Sequence, residues 1–202
     1  MSFNNETWRI IGLVNGYIKI IKEEPITGYK WDNAGNNIWN NASLQTYLNE
    51  EYYNNLSPDA QNMIQSATYN LGKMSSTDTT VLNIYNFENS STDNIVSKIN
   101  LMYVSDYGYS VIDSCPKTPY NYETNNYCNE DGTWLYRGQK EWLLNRNTST
   151  GRSGYINASG YIASIDTDST STITRPTLYL NSSVNIISGD GSSQNPYTLS
   201  SK

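Results

Sequence analysis

The sequence predicts a single α+β domain, and three observations predict it. Two apolar runs flank Asn15-Gly16 near the start, two segments with apolar residues at helical spacing follow, and the chain ends in two short apolar strands with Gly189-Asp190-Gly191 behind them. With 202 residues the chain fits one domain over 1–202, long enough to bury roughly 70% of the surface its unfolded form exposes.

Each element has a local reason. Residues 8–14 and 17–22 are joined by Asn15-Gly16, whose two positions tolerate positive φ, so the pair predicts a β-hairpin. Residues 28–41 read as a loop carrying Trp31 and Trp39, after which Leu44, Tyr47, Leu48 and Tyr52 predict a short helix over about 42–53. Ser57 is an N-cap, Pro58 takes the first helical position and Asp59 the first turn, so a second short helix begins there and carries Ala60, Met63, Ile64 and Ala67. Residues 75–93 read as a polar loop broken by a strand or helix at 81–85. Residues 99–104 read as a buried strand, and Ser105-Asp106 as the start of a helical turn with Tyr107 and Tyr109. A long loop region at about 114–168 is rich in Gly, Asn, Ser and aromatics, with short strands expected at 134–136, 141–144 and 160–163. Long loops of this kind inside a compact domain usually carry function. The terminal strands, 175–181 and 184–187, then close the sheet, pairing near Trp8 and residues 184–198.

Three stretches together carry a resemblance: Trp8-Arg9-Ile10-Ile11-Gly12, then Leu101-Met102-Tyr103-Val104-Ser105-Asp106-Tyr107-Gly108-Tyr109, then Arg175-Pro176-Thr177-Leu178-Tyr179-Leu180-Asn181 with the following Gly189-Asp190-Gly191 and Asn195-Pro196-Tyr197-Thr198-Leu199. In this order they resemble an uncharacterised family of bacterial cell-surface modules. The resemblance implies a C-type-lectin-like fold, a place outside the cell, and an anchoring or pilin-like segment preceding the module. The matched stretches look like fold signatures, and the resemblance transfers no ligand residue.

Composition narrows the function. Apolar residues make up 37% and charged residues 16%, whereas there are 28 asparagines, 18 tyrosines and 5 tryptophans against 2 phenylalanines. Polarity is therefore carried by uncharged groups, and Tyr with Asn and Ser is the composition of adaptable recognition surfaces. AT-rich codons would produce the same excess, so either selection for binding or codon usage accounts for it. A net charge of -6 with no basic run argues against nucleic acid as a partner, because the phosphate backbone demands clustered Lys and Arg. No stretch of eighteen apolar residues predicts membrane insertion by this chain, so an anchor is expected elsewhere.

Chemistry is narrowed in the same way. The absence of histidine removes Ser-His-Asp triads, Cys-His dyads and histidine zinc sites, and a non-catalytic protein is expected. Neighbouring acids at Glu23-Glu24, Glu50-Glu51 and Glu130-Asp131 leave a carboxylate-based glycosidase as the lesser alternative, since the cross-cleft spacing such an enzyme needs cannot be read from sequence. No cofactor is expected. Structural calcium is the inorganic ligand that the loops allow, through Asp166 and Asp168, through residues 129–132, or through Asp190. Cys115 and Cys128 lie in a turn-rich stretch, and a disulfide between them suits an oxidising exterior. Two free thiols or half of a metal site are the alternatives.

The candidate ligand-binding residues sit in the long loop region: Arg146, Asn147, Arg152, Tyr155 and Asn157 on its more polar stretch, and Trp142 among its aromatics, which also include Tyr120, Tyr122, Trp134 and Tyr161. The expected function is a surface-displayed ligand-binding or adhesion module that recognises a glycan or a partner protein. The alternative is a structural subunit of a pilus or other surface assembly.

Overall fold

In a computed structural model, the protein is described over residues 1–74, 80–120, 128 and 131–201. It is mixed α+β. A short strand β1 (Ser2–Phe3) leads into β2 (Glu6–Val14) and β3 (Tyr17–Lys22). The β2–β3 turn places Asn15 at φ 51° and Gly16 at φ 82°, the positive-φ pair that the Asn-Gly signal predicts. A register shift between Ile10 and Gly12 bends the hairpin.

Helix α1 (Ser43–Tyr47) widens into a π turn at Leu48–Tyr52. Asn49 lies in that turn and clasps the chain fifty residues on: its Oδ1 accepts from the amides of Lys98 and Ile99, and its Nδ2 donates to the Ile99 carbonyl at 2.8 Å. Helix α2 (Pro58–Met63) begins at the expected cap, with the Ala60 amide donating to Ser57 Oγ at 3.2 Å. It stops earlier than the periodicity suggests. Ile64 and Ala67 belong to strands β4 (Ile64–Gln65) and β5 (Ala67–Asn70), because sheet pairing takes over from the helix there.

Beyond β5 come α3 (Val81–Asn89), β6 (Asn94–Ser97), β7 (Ile99–Asn100) and α4 (Val104–Tyr109). The strand expected over 99–104 is therefore cut to two residues, and Val104 already belongs to the helix. The long loop region at about 114–168 contains a regular three-stranded antiparallel sheet made of β8 (Glu141–Asn147), β9 (Arg152–Ile156) and β10 (Ile162–Ile165), so strands are present near the expected 141–144 and 160–163 and β9 joins them. Residues 134–136 form turns instead of a strand, with the Trp134 amide donating to the Ser110 carbonyl. The chain closes with β11 (Thr177–Leu180), β12 (Val184–Ser188) and β13 (Thr198–Ser201).

The large sheet runs β12-β13-β1-β2-β3-β11, and the far edge of β11 is shared by β4 and β7. The terminal strands do close this sheet, but through Ser2, which pairs in parallel with Thr198, rather than through Trp8 directly. Two apolar clusters fill the molecule. One gathers Trp8, Trp31, Trp39, Leu44, Leu48 and Leu178 between the large sheet and α1–α2; the other gathers Ile21, Ile84, Met102, Val104, Leu135 and Leu143 around α3, α4 and β8. Trp31 and Trp39, expected on a loop, are fully buried with ring centroids 4.8 Å apart. Their indole N–H groups are satisfied, by the Leu143 carbonyl at 3.0 Å and Asn100 Oδ1 at 2.7 Å, as burial of an indole requires.

Cys115 and Cys128 form a disulfide whose ends belong to the second cluster. Replacing both by serine is expected to lower stability by about 3 kcal/mol through the freed loop entropy. Urea unfolding of the oxidised protein and of the double variant measures that loss.

Candidate functional site

The sequence-derived candidates fall on the β8–β9 hairpin, where register pairs Trp142 with Tyr155, Arg146 with Ser153 and Asn147 with Arg152. The structure brings Arg146, Asn147 and Arg152 together at the hairpin end, and it occupies each of them. Arg146 Nη2 contacts Asp93 at 2.5 Å, Arg152 Nε contacts Asp166 at 2.9 Å, and Asn147 Oδ1 accepts from the amides of Ser149 and Thr150. Trp142 and Asn157 do not present themselves to a ligand. Trp142 is 1% exposed with its N–H on the Tyr29 carbonyl, and the buried Asn157 closes its own turn by accepting from the Ser159 and Tyr161 amides. Tyr155 is half-buried on the sheet face.

The loops considered for calcium are also accounted for in part. Asp166 is held by Arg152, and Asp190 accepts from the Ser192 amide, which lowers its pKa. Asn129 and Glu130 lie outside the described residues, as does Tyr122. Among the described residues no group of three or more His, Cys, Asp or Glu side chains is placed to hold a metal ion. No helix among them is long and apolar enough to cross a membrane.

An open cleft of about 570 Å³ lies elsewhere, between the 28–41 loop and α1, lined by Tyr29, Lys30, Asn33, Ser43, Thr46, Tyr47 and Glu51 among others. Tyr29 and Tyr47 stack at 4.0 Å with an interplanar angle of 27°. Both are half-buried, so part of this aromatic surface meets solvent. The buried Asp32 clamps the loop to the helix, accepting from the Ser43 amide through Oδ1 and from the Asn36 amide through Oδ2. Burial, followed by the bond to Tyr29, pushes the Tyr47 phenol well above its ordinary pKa. It is a neutral hydrogen-bonding group across the physiological range.

A second polar constellation is buried between β3, α3 and α4. Lys19 Nζ lies 2.5 Å from Asp106 Oδ2, which also accepts from the Tyr103 amide at 2.7 Å. The ammonium sits 4.5 Å from the centroid of the Tyr103 ring and 5.6 Å from that of Tyr179, positions that favour a cation. Burial works against the Lys19 charge, but the Asp106 carboxylate more than restores it, leaving the pKa above the ordinary lysine value. Glu88, 3% exposed, lines the same narrow pocket; its Oε1 accepts from the Ser105 amide at 3.3 Å and from Asn145 Nδ2 at 2.9 Å. Burial pushes its pKa up to about 7, against the pull of the hydrogen bonds from Ser105 and Asn145. A third buried group, Arg175, grips Glu141 through two bonds of 2.8 and 2.9 Å and donates to the Leu135 carbonyl at 2.6 Å. An arginine two residues ahead of an apolar strand is thus paired with both an acid and a carbonyl.

A family model described as a domain of unknown function, DUF6273, matches residues 15–182. The chain belongs to that family. The matched span of the DUF6273 domain takes in Lys19, Glu88, Asp106, Glu141 and Arg175 together with the Tyr29–Tyr47 cleft, and leaves out β1, β2, β12 and β13. The stretches at residues 8–12 and 189–199 lie outside it. No curated protein and no solved structure matches the chain.

Sequence reasoning missed two of the DUF6273 domain's buried charges, Lys19 and Glu88, although both left a trace. Lys19 shares a strand face with Tyr17 and Ile21 in an otherwise apolar run, and Glu88 falls at i+7 from Val81 and i+4 from Ile84, on the buried face of α3. Tyr29 and Tyr47 left no such trace, since nothing local says that a loop and a helix meet.

The buried charges make stability depend on pH and on pairing. Glu88 moves from an ordinary 4.5 to about 7 on folding, so the folded state binds a proton that the unfolded state has lost. Its contribution is complete below about pH 4.5 and disappears as pH rises through about 7, a loss on the order of 3 kcal/mol. Urea midpoints between pH 5 and 8 are expected to fall with pH, and Glu88→Gln to flatten that slope. Arg175→Met alone is expected to cost about 3–5 kcal/mol by leaving Glu141 buried and unpaired, with much of the loss recovered in Arg175→Met/Glu141→Leu; denaturant unfolding of the two variants compares them.

Proposed function

We propose that this domain is a non-catalytic recognition module displayed on a bacterial cell surface, with a C-type-lectin-like arrangement as the motif resemblance implies. The observation that carries the reading is the Tyr29–Tyr47 cleft. Stacked, half-exposed tyrosines supply an apolar face for a sugar ring, and the cleft walls offer Asn33, Ser43, Thr46, Lys30 and Glu51, the mixture of amide, hydroxyl and single charges that pairs with the hydroxyls of a glycan. The guanidinium groups of Arg146 and Arg152 are already matched by Asp93 and Asp166, which gives a neutral ligand the advantage over an anionic one. The disulfide suits an oxidising exterior.

Glycan-array binding, run with calcium and with chelator, tests the reading. Binding is expected, and Tyr47→Ala is expected to weaken it at least about tenfold, the loss of one stacking partner. Binding unchanged by Tyr29→Ala and Tyr47→Ala would remove the cleft from the proposal, and a difference between the calcium and chelator arms would establish the metal.

The second reading, a structural subunit of a surface assembly, is favoured by β12. This strand pairs only with β13 among the described residues, and it exposes Ile186 and Ile187 by 54% and 62%, an edge open to another chain. Concentration-dependent association in sedimentation, abolished by Ile187→Lys, is the outcome this reading expects.

A further inference from the structure

We propose that Lys19 and Asp106 are the two halves of an intramolecular amide cross-link, formed by the folded chain itself with Glu88 as the acid–base group. The geometry carries the proposal. A primary amine and a carboxyl group are held at 2.5 Å, with side chains 1% and 9% exposed, 87 residues apart in sequence. The Tyr103 amide fixes the Asp106 oxygen that Lys19 approaches, and Ser105, the residue next to Asp106, donates its amide to Glu88. Lys19, Glu88 and Asp106 all line one pocket of about 40 Å³, room for a water molecule or two.

The reaction balances without any further reagent. A proton passes from the Lys19 ammonium to the Asp106 carboxylate, converting the ion pair into an amine and a carboxylic acid. The raised lysine pKa describes loss of the proton to solvent, which would strand Asp106 as a buried anion; transfer within the pair strands nothing and removes two charges from a buried site. The Nζ lone pair then attacks Cγ of Asp106, the N–C bond forms, and the C–O bond to one carboxyl oxygen breaks. Of the three ammonium hydrogens one stays on the amide and two leave with that oxygen as water. Glu88 accepts a proton from nitrogen and returns one to the leaving oxygen, ending as it began. A buried carboxyl whose pKa lies near neutrality is suited to both transfers.

Preplacement lowers the barrier that two free groups face in water. Holding the partners in contact is worth effective molarities of order 10⁵ M or more, and the expelled water passes to bulk solvent. The rings of Tyr103 and Tyr179 beside the bond, and a pocket with room for only a water or two, then limit the water that can reverse it. The product would tie β3, at the centre of the large sheet, to α4 at the second apolar cluster. With Cys115–Cys128, the domain would carry two covalent ties of different chemistry, only one of them reducible.

Intact-mass spectrometry of the reduced, denatured wild-type chain decides the matter. The expected mass lies about 18 Da below that of the sequence, one water lost, with a tryptic branched peptide joining Lys19 to Asp106 and no cleavage after Lys19. Asp106→Ala and Lys19→Met are expected to restore the full mass. Glu88→Gln is expected to keep the wild-type near-UV circular dichroism yet remain largely unlinked. A wild-type chain of full mass, or one lighter by a water but without the branched peptide, would overturn the cross-link. Bond formation at the wild-type rate in Glu88→Gln would overturn the role given to Glu88.

Discussion

Strand β11 is the constraint on which the rest of the molecule depends. Its four residues are all buried and are paired on both edges: Thr177–Leu180 run antiparallel to β3 on one side, and on the other they meet β7 through Thr177 and Leu178 and β4 through Tyr179 and Leu180. A strand so enclosed must satisfy all its backbone groups within the protein. It therefore fixes where the hairpin, the end of α2 and the approach to α4 lie. Arg175, two residues before it, is locked to Glu141 at the start of β8, so the same short segment also sets the small sheet against the large one.

The distribution of charge follows from this arrangement. A domain with few charged residues has placed several of them inside, where each has a partner: Lys19 with Asp106, Glu88 with Ser105 and Asn145, Arg175 with Glu141. An unpartnered charge in such surroundings would cost several kcal/mol, which explains why the pairs are closed by extra backbone hydrogen bonds. The open cleft is built differently, from stacked tyrosines with hydroxyl and amide groups and only single charges on its walls. Asn and Tyr thus have a structural use apart from any contact with ligand: Asn49 holds β7, Asn145 holds α3 and α4 through Glu88 and the Val104 amide, and Tyr103 anchors the end of β5 through the Asn70 carbonyl.

Sequence legibility varied with the range of the interaction responsible. The hairpin at Asn15-Gly16 and the helix start at Ser57-Pro58 are where they were expected, because turn and capping chemistry act over a few residues. The end of α2 was misplaced because Ile64 pairs with Leu180, a partner 116 positions later. In the supposed loop region, the strands expected at 141–144 and 160–163 are present as β8 and β10, and local hairpin pairing adds β9 between them. The candidate binding residues suffered most: Trp142 and Asn157 look like surface chemistry in a Gly- and Asn-rich stretch, yet one fills the core and the other closes a turn.

By itself, then, the sequence determined the α+β class, the hairpin, the helix starts, the cysteine pair available for a disulfide and the exclusion of histidine chemistry, since propensity, capping and residue inventory are properties of neighbours or of composition. Only the tertiary structure decided which side chains meet. Lys19 with Asp106, Arg175 with Glu141 and Tyr29 with Tyr47 lie on separate elements, and contact between elements is set by strand register and packing, which no local pattern records.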